Sequence, residues 1–161
     1  LTVRSERVEL PNGNQIPEYF VFEYPDWINV IAITKDKKFV FVSQYRHGLG
    51  ETSYELCAGV CEKEDGSPLV SAQRELLEET GFGGGNWSEY MTISANPGTH
   101  TNLTHCFLAT DVEPVAPQHL EDTEDLAVHI LTLENVLELL KTDQIKQAIH
   151  AAPLWKHIAE N

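Results

Sequence analysis

From Val3 onward the chain alternates apolar, strand-forming stretches with turn-forming clusters: VRSERVEL, PNGN, EYFVFEY, PDW, INVIAIT, KDKK and FVFVSQY. Val, Ile, Tyr and Phe suit a pleated, half-buried surface, and Pro-Asn-Gly and Lys-Asp-Lys-Lys are hairpin-type connections. The pattern predicts an antiparallel meander, with a further strand around residues 53–58. At Ser67 the periodicity becomes helical. Ser67 is a good N-cap, and Pro68 suits a first helical position, where its missing N–H costs nothing. Leu69, Val70, Ala72, Leu76 and Leu77 recur at helical spacing before Gly81 supplies the stop. GFGGGN is predicted as loop, followed by strands in WSEYMTISA and LTHCFLATDV with NPGTHTN between them. An acidic connection, VEPVAPQHLEDTED, precedes a short strand, LAVHILT. Helices are predicted over 133–141, with Thr132 as cap, and over 144–159, bent or broken before Pro153.

Strands, an inserted helix, more strands and closing helices predict a mixed α/β layered architecture. There is no internal repeat, linker or low-complexity tract, so residues 1–161 are expected to form a single compact domain.

Charge narrows the partners. The formal net charge is −14 and the isoelectric point is near 4.7. With no run of Lys or Arg, the chain lacks the electrostatic footprint of a nucleic-acid binder. The same excess of carboxylates repels phosphate-bearing small molecules unless divalent cations sit between protein and substrate. No apolar run approaches a membrane span and the first residues lack the apolar core of a signal peptide, so a soluble, cytoplasmic protein with no membrane partner is expected. Cys57, Cys61 and Cys106 are too few and of the wrong parity for a disulfide framework, and Cys57 and Cys61 have no second pair with which to complete a zinc site.

Residues 74–82, RELLEETGF, concentrate the candidate chemistry. At about 100° per residue, Glu75, Glu78 and Glu79 fall within an arc of roughly 100°, with Leu69, Val70, Ala72, Leu76 and Leu77 on the other side. Arg74 stands one helical turn before Glu78 and can bridge to it. A solvated charged face accommodates the same residues. Against that reading, three clustered glutamates repel one another, and no lysine is interleaved between Pro68 and Gly81. A hard divalent ion, Mg²⁺ or Mn²⁺, with oxygen ligands removes the repulsion.

Residues 59–82, GVCEKEDGSPLVSAQRELLEETGF, resemble the Nudix box, G-x5-E-x7-R-E-U-x-E-E-x-G-U with U apolar. Its second half is matched at every specified position, from Arg74, Glu75 and Leu76 through Glu78, Glu79, Gly81 and Phe82. The first half carries one extra residue, which leaves Glu64 and Asp65 both open for the first-glutamate role. QYRHG at 44–48 and YELCAG at 54–59 resemble the QYR and E-x-PAG pattern of the branch that hydrolyses ADP-ribose and other nucleoside diphosphate sugars, with Cys57 in place of proline. NPG at 96–98 resembles that branch's S-P-G, with Asn96 in place of serine.

The resemblance implies a Nudix-type α/β/α sandwich with a mixed sheet and an N-terminal antiparallel β extension over residues 1–40. It implies Mg²⁺ or Mn²⁺ bound by Glu75, Glu78 and Glu79 with the backbone around Ala58 and Gly59, Glu79 and Arg74 serving catalysis. A base is expected from the acidic stretch at 120–128, with Glu124 first, Asp122 second and Glu121 third. At the nucleotide end it points to Arg46 and Glu55, with Trp27, Tyr19 and Phe20 as aromatic groups for stacking; His47, His100 and His105 are open to a pocket or a structural role. The activity implied is Mg²⁺-dependent hydrolysis of ADP-ribose to AMP and ribose 5-phosphate, by a homodimer joined through its first forty residues. The alternatives are hydrolysis of another nucleoside diphosphate derivative or a nucleoside triphosphate, and a non-catalytic module that senses a nucleotide.

Overall fold

The computed structural model describes residues 1–120 and 125–161. Strands β1 (Thr2–Glu9) and β2 (Gln15–Glu23) pair antiparallel across the PNGN turn, where Gly13 takes a φ of 83° that suits glycine. They form a two-stranded sheet of their own. The predicted meander is therefore divided after β2. Pro25 has no N–H with which to continue a ladder. Phe22 bonds instead to the turn at 96–101, its N–H donating to Thr99 O at 2.8 Å and its carbonyl accepting from Thr101 N at 3.1 Å.

The remaining strands, β3 (Trp27–Thr34), β4 (Phe39–Arg46), β5 (Glu51–Glu55), β6 (Cys57–Val60), β7 (Phe82–Gly83), β8 (Asn86–Ile93), β9 (Thr104–Pro114) and β10 (Leu126–Leu131), build an eight-stranded mixed sheet. Its central order is β10-β4-β3-β9, with β3 and β9 parallel. The GFGGGN segment, predicted as loop, contributes the short β7, which pairs with the end of β9.

A split in this sheet creates the cleft. β3 and β4 pair only at Ala32↔Val40 and Ile33↔Phe39. Beyond that point they diverge, and the predicted strand at 53–58 fills the wedge as two strands: β5 runs along β4 from Val42↔Glu55 to Arg46↔Glu51, and β6 runs along β3 from Val30↔Cys57 to Trp27↔Val60. Leu56, fully buried, sits at the break between them. Trp27, Arg46 and residues 58–60 thus come together at the open end of the wedge.

Both faces of the sheet are covered, which is why β3 is buried at nearly every position and mostly apolar, with Asn29 the polar exception inside it, rather than alternating. Ile28, Val30, Ala32, Phe107 and Ala109 pack with Ala72 and Leu76 of helix α1 (Pro68–Thr80). On the other face, Ile31, Ile33, Phe39 and Phe41 pack with Val136 and Leu140 of α2 (Leu133–Lys141) and Leu154 of α3 (Ala148–Glu160). Ser67 caps α1 by accepting from Val70 N at 3.3 Å, and Gly81 closes it in the left-handed conformation, its N–H donating to Leu77 O at 2.8 Å. The buried face of α1 differs from the predicted one. Ser71, Ala72, Leu76, Glu79 and Thr80 are buried, whereas Leu69, Val70 and Leu77 are exposed. The helix has turned its Glu79 edge inward because β6 supplies polar partners there.

The last helix begins at Ala148 rather than 144 and continues through Pro153 without a break. A proline inside a helix frees the carbonyl four residues earlier, here that of Ile149. Asn29 of β3 donates its side-chain amide to that carbonyl at 2.6 Å, so the orphaned acceptor is satisfied inside the core. Among the described residues no helix is long and apolar enough to cross a membrane.

Candidate active site

Arg74 organises the acidic side chains of α1. Its guanidinium donates to Glu75 Oε1 and Glu78 Oε2, each at 3.0 Å, to Asp65 Oδ2 at 3.0–3.1 Å and to the carbonyl of Val60 at 3.3 Å. Burial works against the Arg74 cation, but hydrogen bonds and charge from Asp65, Glu75 and Glu78 outweigh it and hold the group firmly protonated. Asp65 lies in a short 3₁₀ turn at 63–65, and Arg74 holds its carboxyl below the usual range. Of the two acids open in the longer box loop, Asp65 is the one on Arg74.

Glu79 is 7% exposed and accepts from the backbone N–H of Ala58 at 3.2 Å. Next to it, Cys57 is fully buried. Burial first, and then the charge of Glu79 and a hydrogen bond with it, push the Cys57 thiol well above its ordinary range, so it stays a neutral partner of that carboxylate. Gly59 has a steric role. A Cβ built on it would overlap the Glu75 carboxylate, so only glycine lets Glu75 lie against the β6 backbone. Gly59→Ala should therefore keep a near-native Tm, because a flexible side-chain end can yield, yet lower activity by about a hundredfold through displacement of Glu75. Wild-type activity in that variant would contradict the placement.

The segment after β9 is strapped onto the end of α1. Val115 N and Ala116 N donate to Gly81 O, His119 N donates to Glu78 O at 2.8 Å, and Gln118 Nε2 donates to Glu79 O at 2.6 Å and to Leu126 O at 3.3 Å. Gly81 admits this strap, since a Cβ there would strike Ala116 O. Glu121, Asp122 and Glu124, the expected bases, lie outside the described residues; the neighbours that bracket them, His119 and Leu126, are anchored at α1 and opposite Gln44 of β4.

Two adjoining cavities open at the wedge. One, of about 450 Å³, is acidic and polar, lined by Arg74, Glu75, Glu78, Glu79, Gln44 and His119 among others. The second, of about 290 Å³, is lined by Trp27, Ile28, Gln147, Ile149 and His150. They meet at Arg46, Ala58, Gly59 and Val60, which border both. Arg46 at this junction is held by Glu55, which accepts from its Nε at 2.8 Å and its second nitrogen at 2.5 Å.

Glu55 itself is 1% exposed and lies behind Arg46 rather than in the lining of either cavity. Burial would raise its pKa, but hydrogen bonds from Arg46 and His150, with the charge of each, bring it down to about 2. A carboxyl depressed from 4.5 to about 2 stabilises the fold fully above pH 4.5 and loses that contribution as pH falls toward 2, a term of roughly 3 kcal/mol. Thermal melts between pH 5 and 2.5 should therefore fall more steeply for wild type than for Glu55→Gln; parallel profiles would contradict the coupling.

The structure thus brings together Glu75, Glu78, Glu79, Arg74, Ala58, Arg46 and Trp27. It does not bring Tyr19 to them within one chain. Tyr19 donates its hydroxyl to Gly98 O and borders a separate cavity under the hairpin, and Phe20 of the same strand is 51% exposed. His100 packs its ring among Phe22, Tyr24 and Trp27, His105 pairs with Asp26 at 3.0 Å, and His47 is exposed beside Tyr45. Gln118, His119, Gln147 and His150 are not legible as site residues, since no local pattern distinguishes them, whereas Gln44 opens the QYR stretch but was given no role there.

A hard divalent cation fits this donor set. Three carboxylates with no lysine among them border one cavity, and the Gly59 cradle leaves room for one of them against the backbone. Among the described residues no three acidic, thiol or imidazole groups yet converge closely enough to hold an ion. Arg74 draws Glu75 and Glu78 to itself while Ala58 N–H holds Glu79.

Comparison with known proteins gives a match of residues 24–152 to the NUDIX domain. The chain is 33% identical over 144 residues to the ADP-ribose pyrophosphatase of Bacillus subtilis, covering 89% of this chain and 77% of that one. It is 34% identical over 139 residues to the methanol dehydrogenase activator of Bacillus methanolicus, covering 86% and 74%. A GDP-mannose pyrophosphatase of Escherichia coli K12 is 31% identical over 121 residues, covering 70% and 62%. A crystal structure of an ADP compounds hydrolase superposes with a TM-score of 0.81 at 22% identity, covering 95% of this chain and 82% of the other, which shows the shared fold.

Proposed function

The chain belongs to the Nudix family, whose members generally use a divalent metal, and is on that ground a pyrophosphohydrolase-family enzyme; we propose that it hydrolyses the diphosphate linkage of nucleoside diphosphate sugars, ADP-ribose first among them, to give AMP and ribose 5-phosphate. The observation that carries this reading is the joining of the acid-lined cavity to the Trp27 cavity at Arg46. A substrate with a diphosphate in its middle and a nucleoside at one end has that outline. When bound at Glu75, Glu78 and Glu79, Mg²⁺ or Mn²⁺ supplies neutralisation of the diphosphate charge and acidifies water at the site.

The protein's own groups do the rest. Arg46, fixed by Glu55, binds non-bridging diphosphate oxygens with a preorganised guanidinium fork. Arg74 keeps the glutamates in register. Trp27 offers a face to the base. Glu124 is the first choice for taking the proton from water, Asp122 the second and Glu121 the third, each a short distance along the chain from a residue anchored at the site.

Glu55 belongs to this reading through Arg46. Tyr19 belongs to it only through a homodimer in which the β1–β2 hairpin of one protomer reaches the other's cleft; a monomeric profile in gel filtration or solution scattering contradicts that part. The kinship with a GDP-mannose pyrophosphatase favours GDP-mannose as the second substrate. The reading is tested by incubating the protein with Mg²⁺ and ADP-ribose, ADP-glucose, GDP-mannose, UDP-glucose, NADH, diadenosine polyphosphates and nucleoside triphosphates, and identifying products. Nucleoside monophosphate plus sugar phosphate is expected, fastest from ADP-ribose; cleavage of triphosphates alone would overturn it.

A further inference from the structure

The start of α3 forms one wall of the Trp27 cavity. Gln147 occupies the N-cap position but makes no capping bond with its side chain. Its amide oxygen lies 3.1 Å from His150 Nε2, which is also 3.5 Å from Glu55 Oε2. Both neighbours of Nε2 are acceptors, so that nitrogen carries a proton and donates. The Gln147 oxygen is thereby committed, and the group left for a ligand is its NH₂, two donors with no acceptor. His150 borders the same cavity at 1% exposure, with Nδ1 buried and, among the described residues, without a hydrogen-bond partner. Trp27 contributes an aromatic surface, and Ile28 and Ile149 contribute apolar walls. An aromatic face, apolar walls and a small number of oriented polar groups is the chemistry of a nucleobase site.

We propose that Gln147, oriented by His150, determines base specificity by donating a hydrogen bond to the acceptor edge of a purine, N7 being the acceptor that adenine and guanine share. The inference rests on the nucleoside diphosphate reading above and adds the base and the residue that selects it. Arg46 links the two halves of the site: Glu55 holds Arg46 on one side and accepts from His150 on the other, so the group facing the base and the group facing the diphosphate share one buried carboxylate. Nothing in the sequence around DQIKQAIH marks Gln147, since a glutamine ahead of a helix is ordinary.

The test is a binding cycle that needs no turnover. Dissociation constants for AMP and for its 7-deaza analogue, in which C–H replaces N7, are measured by calorimetry on the intact wild-type chain and on Gln147→Met. Wild type should bind AMP about five- to tenfold more tightly than the analogue, as one neutral hydrogen bond allows. Gln147→Met should bind the two alike, with AMP weakened to the wild-type level for the analogue. Gln147→Ala, measured in parallel with thermal melts, guards against a folding artefact. Equal affinities in wild type, or a preference that survives both substitutions, would overturn the proposal. Failure of hydrolysis in the substrate panel would overturn the pyrophosphatase reading and leave this measurement to decide the base site by itself.

Discussion

Glu79→Gln is expected to lower kcat on a nucleoside diphosphate sugar by at least about a thousandfold in saturating Mg²⁺, which corresponds to roughly 4 kcal/mol of lost transition-state stabilisation. Glu79 is buried on the inner edge of α1, bonded to Ala58 N–H and beside the neutral Cys57 thiol. Glutamine has the same shape and can still accept from Ala58, so the change removes charge while retaining the packing. The fold should survive. Without metal the variant's Tm should equal or exceed that of wild type, because repulsion among three carboxylates on one helix arc is relieved. Circular dichroism melts in EDTA and steady-state rates in Mg²⁺ separate the two effects; activity within tenfold of wild type would remove Glu79 from the machinery.

Arg74→Ala is expected to damage both stability and rate. Arg74 joins Asp65, Glu75, Glu78 and the Val60 carbonyl, tying the box loop, the helix and β6 together. Its removal takes away the guanidinium that donates to both Glu75 and Glu78. Loss of a partly buried, forked hub should cost about 2–3 kcal/mol, toward the lower end of buried pairs because the guanidinium retains some exposure. Catalysis should fall by about a hundredfold, because the glutamates lose their register. Arg74→Lys should recover part of the stability and little of the rate, since an ammonium cannot bridge three carboxylates in a planar fork. Mg²⁺ should raise the Tm of Arg74→Ala more than that of wild type, the added cation replacing lost charge. An equal shift in both proteins would mean that metal and Arg74 do not act on the same carboxylates.

What the sequence made legible was what depends on neighbours along the chain. Helix α1 is bounded by Ser67, Pro68 and Gly81, whose capping chemistry is local, and the structure gives it those limits. Most strands of the sheet were visible for the same reason, but β7 lay in a segment predicted as loop and the strand predicted at 53–58 is divided into β5 and β6. Pairing is different, because it depends on distant partners. The separation of the β1–β2 hairpin follows from the bond between Phe22 and the turn at 96–101, and the split of β3 from β4 follows from β5 and β6 entering between them. Pro153 predicted a break that Asn29, far away in sequence, prevents by satisfying the Ile149 carbonyl.

The site divides along the same line. Glu75, Glu78, Glu79 and Arg74 share one helix, so their clustering on one arc was visible in the spacing, although the inward turn of Glu79 was not, because it depends on Ala58 N–H and Cys57 across the cleft. Gln118, His119, Gln147 and His150 reach the site from segments with no distinguishing pattern. Cys57 is instructive in another way. It departs from the proline of the resembling pattern, and the structure makes it a buried thiol on Glu79.

The central claim is that the acidic helix and the Arg46 junction form one metal-dependent site for cleaving a nucleoside diphosphate sugar. The most direct measurement is product analysis of ADP-ribose incubated with wild-type protein in Mg²⁺, in EDTA, and with Glu79→Gln in Mg²⁺. The account predicts equal amounts of AMP and ribose 5-phosphate in the first reaction and background levels in the other two. Hydrolysis that persists in EDTA or in Glu79→Gln, or intact ADP-ribose in all three, would contradict it.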